Sequence, residues 1–175
     1  MDFDYNSLIV ILRHIRDINR KMGLTNRTAL FAFVNNIGNR IRKRNLNDEH
    51  AKLYKDIFLL FLNYGADPTI EDDHGSSSMG CIMNTLNIEF IQLFIDNSRF
   101  DVKLMALCIY IIHYDNFNNY DNFNNYDVLE CLVGRVEDIN AIYKDLTPLD
   151  HARAANVPVE VIELLEMSGA VLRQV

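Results

Sequence analysis

The chain has 175 residues, of which 49% are hydrophobic and 23% are charged, a composition typical of folded globular proteins and unlike that of disordered chains. No apolar run approaches the ~20 residues that a membrane-spanning helix needs, and the acidic first residues lack the basic and then apolar layout of a signal peptide. Residues 1–55 carry 11 Lys and Arg against 5 Asp and Glu, whereas residues 56–175 carry 6 against 19. We therefore expect a globular protein without a membrane span, with one basic and one acidic end.

The first predicted element is an amphipathic helix near the N-terminus. Its apolar residues recur at helical spacing, at Leu8, Ile11, Leu12, Ile15 and Ile18. A second face of the same helix carries the basic residues Arg13, Arg16 and Arg20. We expect this helix to cover one end of the folded chain as an N-terminal cap.

Residues 35–51 form a polar and basic segment between two apolar stretches. The segment contains the basic cluster Arg40, Arg42, Lys43 and Arg44. We expect two longer helices joined by an extended loop here, with the cluster available to an acidic protein surface, a phosphate group or a nuclear import receptor. An isoelectric point near 5.1 argues against nucleic-acid binding.

Similar short segments recur along the chain, each after an apolar, helix-like stretch. Their aspartates lie at positions 17, 67, 101 and 138, and a fifth segment ends at Gly169-Ala170. The intervals between equivalent positions are 50, 34, 37 and 33 residues, which indicates a repeat protein with insertions. The interval of 37 holds a tandem duplication, in which residues 115–120 are repeated as 121–126, and its four aromatic side chains could contact a partner.

These segments resemble the ankyrin repeat, whose unit combines a β-turn with two antiparallel helices at a period near 33 residues. Residues 146–152, Leu-Thr-Pro-Leu-Asp-His-Ala, match the family pattern T-P-L-H-x-A except at Asp150. The second unit starts at Thr28-Ala29-Leu30, the third aligns from Gly75 to Ile95, and the fourth closes with Val128–Leu132. One helix pair cannot bury its own apolar face, so such units have to stack on their neighbours.

The resemblance implies an all-α, ankyrin-like helical-hairpin solenoid of about five repeats with short β-turns. We place a single domain over residues 1–175. Its units lie approximately at residues 1–22, 23–69, 70–102, 103–141 and 142–175.

The resemblance also implies a non-catalytic protein that binds a partner protein through its hairpin tips and first helices. The tips would present Asn26, Arg27, Asp72, Asp73, His74, Tyr143, Lys144 and Asp145. The first helices would present Asn35, Met79, Asn84 and Arg153, beside the basic cluster Arg40, Arg42, Lys43 and Arg44. We expect a monomer without cofactor, metal ion or nucleic-acid partner.

Divergent repeats rich in asparagine, of which this chain has 20, are similar to those that intracellular bacteria and large DNA viruses direct against host proteins. The resemblance favours an effector-like, host-interaction factor. It would be cytoplasmic or secreted into a host cell without a classical signal peptide, and Arg40–Arg44 could direct it to the nucleus. The alternative is an adaptor subunit for a ubiquitin ligase or similar assembly, although residues 1–20 lack the Leu-Pro opening of an F-box.

An enzyme or metal site within a repeat scaffold is a further, less favoured alternative. The sequence has no glycine-rich phosphate loop, no HExxH and no GxSxG motif. Cys108 and His113 lie five residues apart but have no third group to form a nucleophilic triad. The acidic cluster Glu71–His74 lacks the alternation of a calcium loop. The cysteines form no CxxC pair and are expected to be reduced; they are Cys81, Cys108 and Cys131.

Overall fold

The computed structural model describes residues 5–42, 48–85, 87–114 and 125–173, and within these ranges the regular structure is helical. The helices are α1 (Tyr5–His14), α2 (Ala29–Arg42), α3 (Asp48–Asn63), α4 (Ser78–Met83), α5 (Ile88–Asn97), α6 (Lys103–Ile112), α7 (Asn125–Val133), α8 (Pro148–Ala154) and α9 (Val159–Met167). Isolated antiparallel bridges close three hairpins before α2, α4 and α8, at Met22–Arg27, Glu71–Ser77 and Tyr143–Leu146. The predicted combination of helical hairpins with short β-turns is confirmed.

The first of two compact units spans Met1–Phe100 and contains α1 to α5. The first helices of adjacent repeats, α2 and α4, pack on each other, and so do the second helices, α3 and α5, while α1 packs on α3. Fully buried aromatic side chains link the layers, as where the rings of Phe58 and Phe94 lie 5.0 Å apart. Each repeat therefore buries its apolar face against the next, as the stacking argument requires.

The second compact unit spans Asp101–Val175 and repeats this arrangement. The first helices α6 and α8 pack on each other, and the second helices α7 and α9 do the same. Its core is apolar, with Leu107, Tyr110, Leu129 and Leu165 fully buried. The prediction that residues 1–175 form a single domain stays a prediction.

The extra residues of the second repeat lengthen its helices. Helix α2 has 14 residues and α3 has 16, whereas α4 to α9 have between 6 and 10. This confirms the two longer helices predicted around residues 35–51. The connecting residues 43–47, and residues 115–124 of the duplicated segment, lie outside the described ranges.

The N-terminal helix departs from its predicted apolar stripe. Leu12 and Ile18 are buried as expected, but 60% of the surface of Ile11 is exposed. Because α1 packs on α3, only the side of α1 that faces α3 can be buried, and Ile11 lies outside that side. The prediction of a helix is confirmed, but the helix ends at His14, so Ile15, Arg16, Ile18 and Arg20 lie beyond it.

The recurring aspartates of the sequence form one local structure. In each, a side-chain carboxylate oxygen accepts a hydrogen bond from the backbone N–H two residues later, at distances from 2.8 to 3.4 Å. The four residues are Asp17, Asp67, Asp101 and Asp138. This is an Asx-turn, which turns the chain after the end of one repeat and explains why aspartate recurs at these positions.

Two asparagines connect successive repeats through the same pair of hydrogen bonds. The side-chain amide of Asn19 donates to the carbonyl of Gly65 at 3.1 Å, and its side-chain oxygen accepts from the N–H of Asp67 at 2.7 Å. Asn140 makes the equivalent bonds, to the carbonyl of Gly169 at 3.0 Å and to the N–H two residues further on at 2.8 Å. Each asparagine thus supplies hydrogen-bond partners to backbone groups at the end of a distant helix. These groups need such partners because the helix itself provides none.

The departure from the family pattern at Asp150 has a local explanation. The hydroxyl of Thr147 accepts from the Asp150 N–H, and the Asp150 carboxylate accepts from the Thr147 N–H, both at 3.2 Å, which forms a capping box ahead of Pro148. The hydrogen bond from the Thr147 hydroxyl is the main cause that lowers the pKa of Asp150. The next residue, His151, places Nε2 2.7 Å from the carbonyl oxygen of Tyr143 and so joins α8 to its hairpin.

Candidate interaction surface

The first two hairpin tips are joined to each other by polar contacts. Arg27 Nε donates to Asp72 at 3.0 Å, and the N–H of Asp73 donates to the carbonyl of Thr25 at 3.2 Å. The side-chain amide of Asn26 donates to both carboxylate oxygens of Asp73, at 3.0 and 3.1 Å. Residues 45 to 48 positions apart therefore form one continuous surface, which we call the joined tips (residues 22–27 and 71–77).

The buried carboxylate of Asp72 connects the two hairpins of the joined tips. Its carboxylate is fully buried and also accepts the N–H groups of His74 at 2.9 Å and Ser76 at 3.0 Å. Burial raises its pKa, but the hydrogen bonds from Ser76, Arg27 and His74 together outweigh burial and hold the pKa below the ordinary value. The carboxylate of Asp72 is therefore occupied by hydrogen bonds within the chain, and its predicted contact with a partner stays a prediction.

The outer side of the joined tips combines apolar and acidic side chains. Leu24 is fully exposed and Met22 is half-exposed, while Glu71, Asp73 and His74 are exposed beside them. Single exposed apolar residues are common on protein surfaces, but Met22 and Leu24 lie two residues apart on one hairpin and together offer an apolar area that a partner could cover. Among the predicted tip residues, Asn26, Asp73 and His74 are exposed on this side.

The third hairpin, in the second unit, has a tight turn. Its bridge joins Tyr143 and Leu146, so only Lys144 and Asp145 lie between the paired residues. Their φ angles are +48° and +68°, the left-handed region that a type I′ turn requires at both positions. Both side chains are exposed, as predicted, and the half-exposed Ile142 precedes them.

We expect Asp145→Gly to stabilise the second unit relative to Asp145→Ala by about 1 kcal/mol, because glycine avoids the cost of a β-carbon in the left-handed region. Urea unfolding of the two variants measures the difference. The alanine variant is the matched control, since both substitutions remove the same carboxylate. Equal stabilities would show that the turn stores no backbone strain at this position.

The predicted first-helix contacts do not all lie on the surface. Met79 is fully buried in the first turn of α4, the helix that packs on α2, so its side chain is not exposed on the predicted surface. Asn35 and Asn84 are exposed. Arg153 is exposed and forms an ion pair with Glu166 at 3.3 Å.

The basic cluster is only partly described. The Arg40 guanidinium donates to the hydroxyl of Tyr54 at 2.8 Å and so connects α2 with α3. The side chain of Arg42 and all of Lys43 and Arg44 lie outside the described residues. A binding role for the cluster stays a prediction.

Burial raises the pKa of two cysteine thiols. Burial raises the pKa of Cys108 to about 12, so its thiol is protonated at neutral pH and unsuited to nucleophilic attack next to His113. Burial is also the main cause that raises the pKa of Cys81 to about 11. In the ranges given above, no three His, Cys, Asp or Glu side chains converge as metal ligands. The prediction of a non-catalytic protein is unaffected by these observations and stays a prediction.

The sequence analysis did not select Leu24 or Met22. The alignment located the tip at Asn26-Arg27, the end of the hairpin that precedes Thr28. The signal that could have found Leu24 is its position between Gly23, which has a φ of +77°, and the polar Thr25. An apolar residue next to a glycine in a chain reversal points away from both flanking helices.

One solved structure with a similar fold is the ankyrin repeat domain of Bcl-3, described as a unique member of the IkappaB protein family. The TM-score is 0.60 at 17% sequence identity, and the match covers 95% of this chain and 65% of that one. No family model and no curated protein matches the sequence. The structural likeness shows that this chain has the ankyrin-repeat fold, which confirms the resemblance found in its repeats. Among the described residues, no helix has the length and apolar character needed to cross a membrane.

Proposed function

We propose that this chain, which has the ankyrin-repeat fold, is a non-catalytic module that binds a partner protein through the joined tips. The observation that carries the proposal is the fully exposed Leu24 on a surface held in place by long-range polar contacts. Apolar side chains that enter a pocket on a partner supply much of the free energy of protein association.

The joined tips are organised before a partner arrives. Asn26, Arg27 and their acceptors on the second hairpin are already paired, so little conformational entropy is lost on binding. Glu71 and Asp73 flank the apolar side chains and favour a partner with basic residues around an apolar pocket. Charge of this kind speeds the encounter and selects the partner more than it strengthens the complex.

The finer role we propose is that of a host-interaction factor. Its support is the divergence of the repeats and the high asparagine content, which resemble those of arrays directed against host proteins. Partners captured from a host lysate by the immobilised chain and identified by mass spectrometry test this role. Capture of a shared ubiquitin-ligase subunit would favour the adaptor alternative instead.

The binding surface is tested with a partner identified in this way. We expect Leu24→Ala to weaken binding by about tenfold or more, measured by calorimetry, because the side chain is an anchor. Asp73→Lys should slow association with a basic partner. Met167→Ala is the matched control, an exposed apolar residue on α9 that lies outside the joined tips. Unchanged affinity in Leu24→Ala and Asp73→Lys would contradict the proposed surface.

A further inference from the structure

Helix α1 presents an apolar and basic face to solvent. Val10 is 55% exposed and Ile11 is 60% exposed, and they lie one turn from His14 on the same side of the helix. Arg13, in the last turn of the helix, and Arg16, two residues beyond its end, are also exposed. We call this set the α1 face (Val10, Ile11, Arg13, His14 and Arg16).

Helix α9 presents an apolar and acidic face. Val159 is 59% exposed and Met167 is 85% exposed, and three exposed glutamates lie between them at helical spacing, Glu160, Glu163 and Glu166. Glu166 forms the ion pair with Arg153, so Glu160 and Glu163 carry the acidic character of this face. The opposite side of the helix is buried through Val161 and Leu165. We call the exposed set the α9 face (Val159, Glu160, Glu163, Glu166 and Met167).

The two faces are complementary in charge and in apolar content. Each places two large apolar side chains on one helix surface, one with arginines and the other with glutamates. The apolar side chains of each face are exposed to solvent. We propose that a second copy of this chain provides the missing partner, with the α1 face of one molecule packing on the α9 face of the next.

The contact is head-to-tail, because it joins two different surfaces. Each molecule in a pair keeps one unused α1 face or α9 face, so association continues beyond the dimer or closes into a ring. One helix on one helix buries less area than stable complexes do, so we expect weak association, with a Kd on the order of 0.1 mM. The monomer predicted from the sequence is then the form present in dilute solution.

Sedimentation equilibrium of the full chain tests the proposal. We expect the average mass to rise with concentration up to about 1 mM at low salt and to fall as salt screens the arginine–glutamate pairs. Ile11→Asp and Met167→Asp should each weaken association by about tenfold or more. Leu24→Asp is the matched control on the joined tips and should associate like the unaltered chain.

A mixture of the Ile11→Asp and Met167→Asp variants tests whether the contact is head-to-tail. Ile11→Asp keeps an intact α9 face and Met167→Asp keeps an intact α1 face, so an equal mixture should form dimers and nothing larger. A mixture that stays monomeric would overturn the proposed pairing, and so would an unaltered chain that stays monomeric at all concentrations. Circular dichroism of each variant confirms that it is folded. Loss of association in the Leu24→Asp control would also overturn the assignment of the contact to the α1 face and the α9 face.

Discussion

Replacing Leu30 by Ala should lower the free energy of unfolding by about 2–5 kcal/mol. Leu30 is fully buried in the first turn of α2, the helix that packs on α4. Truncation removes its contacts with the neighbouring repeat and leaves a cavity that a stacked array cannot easily close. Urea unfolding followed by circular dichroism measures the change.

Leu24→Ala is the matched control for this prediction, since it makes the same chemical change six residues away. Leu24 is fully exposed, so its truncation should change stability by about 0.5 kcal/mol or less. If the two variants lost similar free energy, the packing of α2 on α4 would not be the source of the stability of the first unit. The same control shows that Leu24→Ala remains folded, as the binding experiment requires.

Asp72→Lys should unfold the joined tips, whereas Asp73→Lys should leave the fold nearly unchanged. In the first variant an ammonium group replaces a buried carboxylate opposite Arg27, and the N–H groups of His74 and Ser76 lose their acceptor. Asp73 is exposed and its carboxylate pairs with a neutral amide on Asn26. Thermal unfolding and amide hydrogen exchange of residues 22–27 and 71–77 measure the difference.

The loss of stability at acidic pH tests the same contact, between Arg27 and Asp72, without reversing a charge. Because the folded pKa of Asp72 lies below its unfolded value, its contribution is present above about pH 4 and is lost as the pH falls through the folded pKa. Asp72→Asn should therefore lower the free energy of unfolding at neutral pH. It should also reduce the further loss of this free energy on acidification. If Asp72→Asn and the unaltered chain lost the same free energy of unfolding on acidification, Asp72 would not be the group whose titration is linked to folding.

Local sequence patterns predicted the helices and the repeat period. Helical spacing of apolar residues, aspartates at chain reversals and threonine with proline before a helix act over a few residues, so they can be read without knowledge of the fold. Asp67 and Asp138 form the turns expected of them, and Thr147 begins α8. The two long helices of the second repeat followed from the same patterns.

The sequence by itself determined the all-α repeat architecture, the positions of the hairpins and the general location of the tips. The tertiary structure decided which tip residues are available, because burial depends on neighbours that are distant in the chain. Asp72 and Asp73 are adjacent and chemically identical, yet one carboxylate is buried against Arg27 and the other is exposed and accepts from Asn26. Met79 and Ile11 also show that local sequence does not determine burial. The packing of α4 on α2 buries Met79, and the position of α1 on α3 exposes Ile11.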